Sequence, residues 1–324
     1  MTLQDSLPRR PSAQPQRNSE RRLIQSQWTL EEFSGALRRL QNPDGGFPYS
    51  PGKKSSLEPT AMAVLAMHRL ANRADSDARL KAQQYLLSCQ ETSGRWPIST
   101  DDSSPAWETP LVLLALSSAP ALESACRTGM NAFLKVVAEP ANPQGILLNP
   151  RWKGWNWYPP TPGWVEPTSL GLLAVSRLRH LADGSLVAER LEDGRQFLLD
   201  RMAPDGGWNY GNSYVLGHAV SSFLSPTAMA LIALHPTDGR TDRMHRAAQR
   251  LESGLATTTS GLALSWGSLA LAAYNLPFQP LLPRLYDAWR RHRFLENSAV
   301  ISLAMLAASA TPENHPFLGS GKRT

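Results

Sequence analysis

Two apolar patterns alternate along the 324 residues. The first is amphipathic, with apolar positions recurring every three or four residues over 29 to 41, 77 to 90, 122 to 136, 187 to 202, 241 to 253 and 279 to 291. In "ARLKAQQYLLSCQ", for example, Leu80, Tyr85, Leu86 and Cys89 fall near one stripe, while Arg79, Lys81, Gln83 and Gln84 face away. These segments predict helices with one wet side. The second pattern, in "AMAVLAM", "LVLLAL", "AMALIAL" and "AVISLAMLAA", is apolar all round and predicts helices buried on every face.

The buried segments belong to a repeat. "EPTAMAVLAM" from Glu58, "WETPLVLLAL" from Trp107, "EPTSLGLLAV" from Glu166 and "SPTAMALIAL" from Ser225 share Thr at the third position and Ala six residues later. The pairs are Thr60/Ala66, Thr109/Ala115, Thr168/Ala174 and Thr227/Ala233. A fifth copy, "ENSAVISLAM" from Glu296, has Ser298 in place of Thr and keeps Ala304. "LALSWGSLALAAY", at 262 to 274, has the same character without a clear register. An aromatic stands thirteen residues before Thr in three copies, as Phe47, Trp96 and Trp155. In the fourth, Trp208 stands nineteen before, because "NYGNSYVLGHAVSSFL" carries a six-residue insertion.

Six half-buried helices alternating with six fully buried ones have a closed solution. The buried set forms an inner ring, the amphipathic set wraps it, and no terminal repeat is left exposed. The pattern therefore predicts an all-α protein, an α/α toroid or (α/α)6 barrel, as one domain over 27 to 315. A disordered basic arm at 1 to 26 and a tail at 316 to 324 would flank it. The helix starts agree: Pro fits the first turn, where its missing donor costs nothing, and a carboxylate there meets the positive end of the helix dipole.

Composition narrows the function. Hydrophobic residues at 42% and charged residues at 19% describe a globular protein. The net charge of +6 comes largely from Arg9, Arg10, Arg17, Arg21, Arg22, Lys322 and Arg323 at the ends, which argues against nucleic acid as a partner. No run of 18 apolar residues occurs, so a cytoplasmic protein is expected, with peripheral membrane contact, a protein partner and homo-oligomerisation left open. Cys89 and Cys126 have neither disulfide nor metal-ligand spacing and read as buried thiols. No cofactor and no metal are expected.

"KAQQYLLSCQETSGRW", Lys81 to Trp96, resembles the QW repeat of squalene and hopene cyclases: a basic residue, an aromatic with Leu, a Gln, then Gly-x-Trp. "LRRLQNPDGGF" and "GRQFLLDRMAPDGGW" are looser copies, with Gln41 in the first and Met202 in place of Gln in the second. The chain is thus similar to the toroids of the terpenoid cyclase and protein prenyltransferase superfamily. The resemblance implies that the Gln and the aromatic tie an outer helix to the following turn, and that inner helices line a central cavity for an apolar, isoprenoid ligand. It also implies a D-x-D-D-T acid in cyclases and zinc ligands in prenyltransferases; this sequence has neither.

At the acid position, two residues before Thr, stand Glu58, Glu166 and Glu296, with Trp107 and Ser225 in the other copies. Equivalent points on a ring gather at one mouth, where burial and mutual repulsion raise a carboxyl toward the range of a general acid. Glu166 is the leading candidate, Glu58 and Glu296 are candidate partners, and each also fits a plain helix-start residue. Trp157, Tyr158, Trp164, Tyr210 and Tyr214, with Trp107, are candidate mouth aromatics for stabilising cations, and His218 is the best-placed base. A single toroid is half of a two-domain class II cyclase, which weighs against that complete activity. Two rivals remain: a carbohydrate-active toroid with paired carboxylates, and a non-catalytic binding or scaffold toroid.

Overall fold

The computed structural model describes residues 30–318, apart from 71, 100–101, 106 and 141–147. The arm expected to be disordered lies outside the described residues. Helices occupy 30–40 (α1), Leu57–Met67 (α2), Arg73–Ser88 (α3), Thr109–Leu116 (α4), Glu123–Phe133 (α5) and Val165–Leu178 (α6). They continue over Gly184–Asp200 (α7), Leu224–Asp238 (α8), Asp242–Leu255 (α9), Gly261–Ala273 (α10), Leu281–His292 (α11) and Ser298–Ser309 (α12). The uncertain register at 262 to 274 resolves into α10, which starts from Ser260, whose hydroxyl accepts from the Ala263 N–H.

The even-numbered helices are the apolar segments. They form a closed ring in which α2 packs on α4, α4 on α6, α6 on α8, α8 on α10 and α10 on α12, and α12 returns to α2. Each of the first five is also packed against the outer helix that follows it. Helix α1 clasps the circuit from outside. Its Ser34 and Arg38 both reach Asp75 of α3, and its Glu32 accepts from Tyr286, Trp289 and Arg293 at the other end of the chain. The chain is an α/α toroid.

The repeat spacing has a direct cause. The Thr60 hydroxyl accepts from the Phe47 N–H at 2.8 Å, Thr168 from Trp155 at 2.9 Å and Thr227 from Trp208 at 2.9 Å. A buried backbone donor is costly to leave unpaired, so the aromatic's position is fixed relative to the inner helix. The six extra residues before Thr227 are extruded between Trp208 and Phe223, whose N–H still reaches the Trp208 carbonyl at 2.8 Å. They form a small hairpin, Tyr214–Val215 (β3) against His218–Ala219 (β4). A second hairpin, Pro97–Ser99 (β1) with Asp102–Pro105 (β2), also departs from the all-helical expectation.

The repeated glutamines and tryptophans act as ties. Gln41 donates to the Gly45 and Ala78 carbonyls, both at 2.8 Å, and Gln90 to those of Gly94 and Ala125, both at 3.0 Å, so each amide joins its turn to the next outer helix. Trp96 and Trp208 donate to carbonyls ten residues earlier, at Leu86 and Leu198. Trp155 is held differently: it stacks on Phe133 at 5.3 Å beneath the Arg190 guanidinium, and its buried indole N–H has no partner among the described residues.

Every turn from an outer to an inner helix lies at one end of the ring, because each helix pair is antiparallel and the inner helices neighbour one another around it. That end is the mouth. The other end is crossed by residues after α12, and packing runs past the expected boundary at 315: Phe317 is 2% exposed and stacks on Trp266 at 5.2 Å. His315 is buried there with Nε2 against the Leu269 carbonyl, and burial pushes its pKa down to about 3.

Candidate functional site

Three glutamates stand at the starts of three consecutive inner helices. Glu58 and Glu166 occupy the second positions of α2 and α6, and Glu108 is the residue before α4. A helix N-terminus favours a carboxylate. Here burial outweighs it: Glu58 is raised, and Glu108 and Glu166 are both pushed up from 4.5 to about 7. The charge of Glu58 adds to the rise of both others, which makes it the electrostatic centre of the group.

Tyr49, from the turn before α2, donates its hydroxyl to Glu58 Oε2. That bond favours the Glu58 carboxylate and so counters part of the burial effect. Glu108 is 8% exposed, and its Oε2 is buried without a hydrogen bond among the described residues. Near Glu166, burial and the Glu166 charge raise the Tyr210 phenol. Among the described residues no three His, Cys, Asp or Glu side chains form a metal-holding group, so the glutamates are linked by charge.

The aromatics border this group. Trp107 and Trp157 are half-buried and meet edge to face at 4.4 Å. Trp164, directly before α6, is 39% exposed and lies against Gly211. Val165 beside it donates to the Tyr210 carbonyl, and Tyr210 meets Phe223 at 5.3 Å. Tyr158 is exposed in the same turn, and Tyr214 is half-buried on β3.

Two expected members are exposed. Glu296 is exposed, because residues 293–296 turn through left-handed backbone and α12 is capped by Asn297 instead. His218 is exposed on β4, opposite Val215. Conversely, Glu108 was passed over in the sequence. It lies one residue closer to Thr than the frame of the other copies, and the signal was the "WETP" text itself, since α4 begins three residues later in the frame than α2 and α6. A separate surface cavity of about 480 Å³ lies between Ser222, Thr227, Arg250 and Gly254. Its Asp205 is occupied by the Ser222 N–H and hydroxyl, which serve the turn.

No described protein family matches the chain. It is 26% identical over 223 residues to drimenyl diphosphate synthase from Streptantibioticus cattleyicolor, covering 68% of this chain and 38% of that protein. The chain thus spans well under half of this relative. Among solved structures it is similar to the type II terpene cyclase MstE from Scytonema in complex with geranylgeranyl dihydroxybenzoate, at a TM-score of 0.57 and 13% identity, over 89% of this chain and 99% of that one. It is also similar to a cellobiose 2-epimerase from Spirochaeta thermophila, at 0.61 and 14%, over 92% and 98%. An α-1,6-mannanase from Salegentibacter sp. HEL1_6 matches at 0.61 and 10%, over 87% and 99%. The chain is an α/α toroid, similar in sequence over 223 residues to this terpene synthase and similar in fold to a terpene cyclase and to glycan-active toroids. In that complex the cyclase chain is matched over 99% of its length, and in the apo structure over 79%.

Proposed function

We propose that the toroid takes an apolar, isoprenoid chain at its mouth and starts its cyclisation or isomerisation by protonation. The carrying observation is the set of carboxyls at the starts of α2, α4 and α6, of which Glu108 and Glu166 are pushed up by burial to about 7. Glu166 is half-exposed and next to the mouth aromatics, which suits it as donor. Its O–H bond breaks as the π pair of a substrate double bond takes the proton onto carbon. Cationic charge then develops against the faces of Trp157, Trp164 and Tyr210, with Trp107 behind Trp157. A neighbouring carbon then gives its proton to solvent, its C–H pair re-forming a double bond, and solvent returns a proton to the Glu166 carboxylate.

Glu58 accepts from Tyr49, and its charge adds to the rise of both Glu108 and Glu166; Glu108 is the second acid. Tyr158 and Tyr214 belong to the rim. Glu296 and His218, both exposed, have no step in this reading. The glycan-active neighbours share the ring, and the same carboxyls beside tryptophans would serve a sugar. The sequence relative favours the isoprenoid.

The test is a substrate panel of linear polyprenyls, their diphosphates and their epoxides, with α-1,6-mannotriose and cellobiose alongside, given to the wild type and to Glu166→Gln. Cyclised or isomerised polyprenyl from the wild type and its loss in the variant support the proposal. Turnover of a sugar with no polyprenyl product overturns it.

A further inference from the structure

Two of the turns that lead into inner helices are filled in the same way from the outer helix that follows. In the first turn the Tyr85 ring of α3 stands against Gly46, where an added Cβ would lie 3.0 Å from Tyr85 Cγ. In the third, the Phe197 ring of α7 stands against Gly154 at the same 3.0 Å. Tyr85 and Phe197 hold one helical position, each directly before a leucine, Leu86 or Leu198, whose carbonyl accepts from the indole of Trp96 or Trp208.

The fourth turn has the glycine without the ring. Asp205 and Gly207 repeat Asp44 and Gly46: in both turns the Asp accepts from the Gly N–H and from a serine hydroxyl, Ser55 or Ser222. On the helix that follows, the buried Ala78, Ala82 and Leu86 of α3 recur as Ala247, Leu251 and Leu255 of α9, which puts Gly254 at the position of Tyr85. The turn also stands off its helix. A Cβ on Gly45 or Gly94 would lie 2.6 Å from the carbonyl oxygen of Lys81 or Thr128, whereas Gly206 has nothing within 4 Å among the described residues, and Met202 replaces the tying Gln. What remains beside Gly254 is the cavity of about 480 Å³.

The lining selects the occupant. Leu224, Leu251 and Phe223, the last 50% exposed, form apolar walls. The hydroxyls of Ser222, Thr227 and Ser253 are already engaged, by Asp205 and by the carbonyls of Trp208 and Gln249. Arg250 and Asp205, the charged groups of the lining, lie 3.5 Å apart and offset one another. Such a slot favours a neutral planar ring, with the Arg250 guanidinium free to lie over its face. An apolar cavity of about 150 Å³ holds benzene, so this one has room for a substituted ring or two fused rings.

We propose that the slot between the fourth turn and α9 binds a neutral aromatic small molecule, a phenol or an indole, in the place that Tyr85 and Phe197 fill in the first and third turns. Phe223 lines the slot and meets Tyr210 at 5.3 Å, so the occupant braces the turn that carries a mouth aromatic. The slot includes none of the three glutamates, and its occupancy is measured without turnover, independently of the reaction proposed above.

The experiment titrates p-cresol and indole into the full chain labelled at its leucine methyl groups and follows the methyl NMR spectrum. Saturable shifts at Leu224 and Leu251 are expected, with cyclohexanol and 4-methylbenzoate binding at least about fivefold more weakly. Gly254→Phe supplies the missing ring from the protein itself. Its Cβ meets only the end of the Leu224 side chain, at 2.8 Å, and Phe suits a helix better than Gly, so the variant is expected to fold with a raised Tm and to bind p-cresol at least about tenfold more weakly. Gly254→Ala, which improves the helix without filling the slot, binds within about threefold of wild type. No saturable shift at Leu224 and Leu251 in the wild type overturns the proposal, as do shifts confined to leucines of the inner ring or equal binding of cyclohexanol. A folded Gly254→Phe that binds p-cresol like wild type also overturns it; if that variant does not fold, the wild-type shifts and the cyclohexanol comparison decide.

Discussion

Glu108 offers the sharpest test of the electrostatics at the mouth. It is 8% exposed, and its carboxyl moves from 4.5 to about 7, first through burial and then through the charge of Glu58. At 1.36 kcal/mol per pKa unit, ionising it in the folded protein costs about 3 kcal/mol more than in the unfolded chain. The sign follows from proton binding. Between about 4.5 and 7 the native state holds a proton that the unfolded state releases, so stability falls as pH rises through that window. Glu108→Gln has no charge to ionise and keeps the shape. Its stability matches wild type near pH 4.5 and exceeds it above pH 7.5 by up to about 3 kcal/mol, several degrees in Tm for a domain of this size. Urea unfolding of both proteins at half-unit intervals from pH 4.5 to 8.5, followed by far-UV CD, measures the divergence. Parallel stability curves would refute a buried, proton-holding Glu108.

Other expectations follow from the same geometry. Thr168→Val leaves the buried Trp155 N–H without its acceptor and destabilises by about 1 to 3 kcal/mol, read from the urea midpoint. Gly129→Ala places a methyl 2.4 Å from Trp96 Cζ3 and costs about 1 to 3 kcal/mol by overpacking, with reduced near-UV CD from Trp96 as the local readout. His315 titrates at about 3 when folded and near 6.5 when unfolded, so it contributes stability above pH 6.5 that is lost as pH falls toward 3; His315→Gln flattens that part of the Tm profile. In Tyr49→Phe, Glu58 loses its donor and protonates at higher pH. With less negative charge beside it, Glu166 titrates lower, which carboxyl infrared or NMR titration detects.

Much of the ring could be read from the chain, and the reasons are local. Segments apolar on all sides have only an interior to occupy, so α2, α4, α8 and α12 followed from pattern. The thirteen-residue spacing was visible as arithmetic; its cause, a Thr hydroxyl accepting from the aromatic's N–H, needed the structure. Glu108 escaped because helix starts shift by a residue or two while a text alignment does not. Glu296 holds its place in the repeat, and left-handed backbone at 293–296, which the repeat does not encode, leaves it exposed. The β3–β4 hairpin turns through Leu216, where turn chemistry would have asked for Asn or Gly. The burial of His315 and Phe317 depends on Trp266 and Leu269, some fifty residues away, which no local pattern encodes.

The most direct test of the central claim is isotopic. The wild type is incubated in D₂O with the polyprenyl substrate that it turns over, and the product is analysed by mass spectrometry and NMR. Protonation from a mouth carboxyl predicts one deuterium at the carbon that starts the cascade, at wild-type yield, and a sharp loss of labelled product in Glu166→Gln. A product that forms without solvent deuterium, or equally well in the variant, contradicts the account.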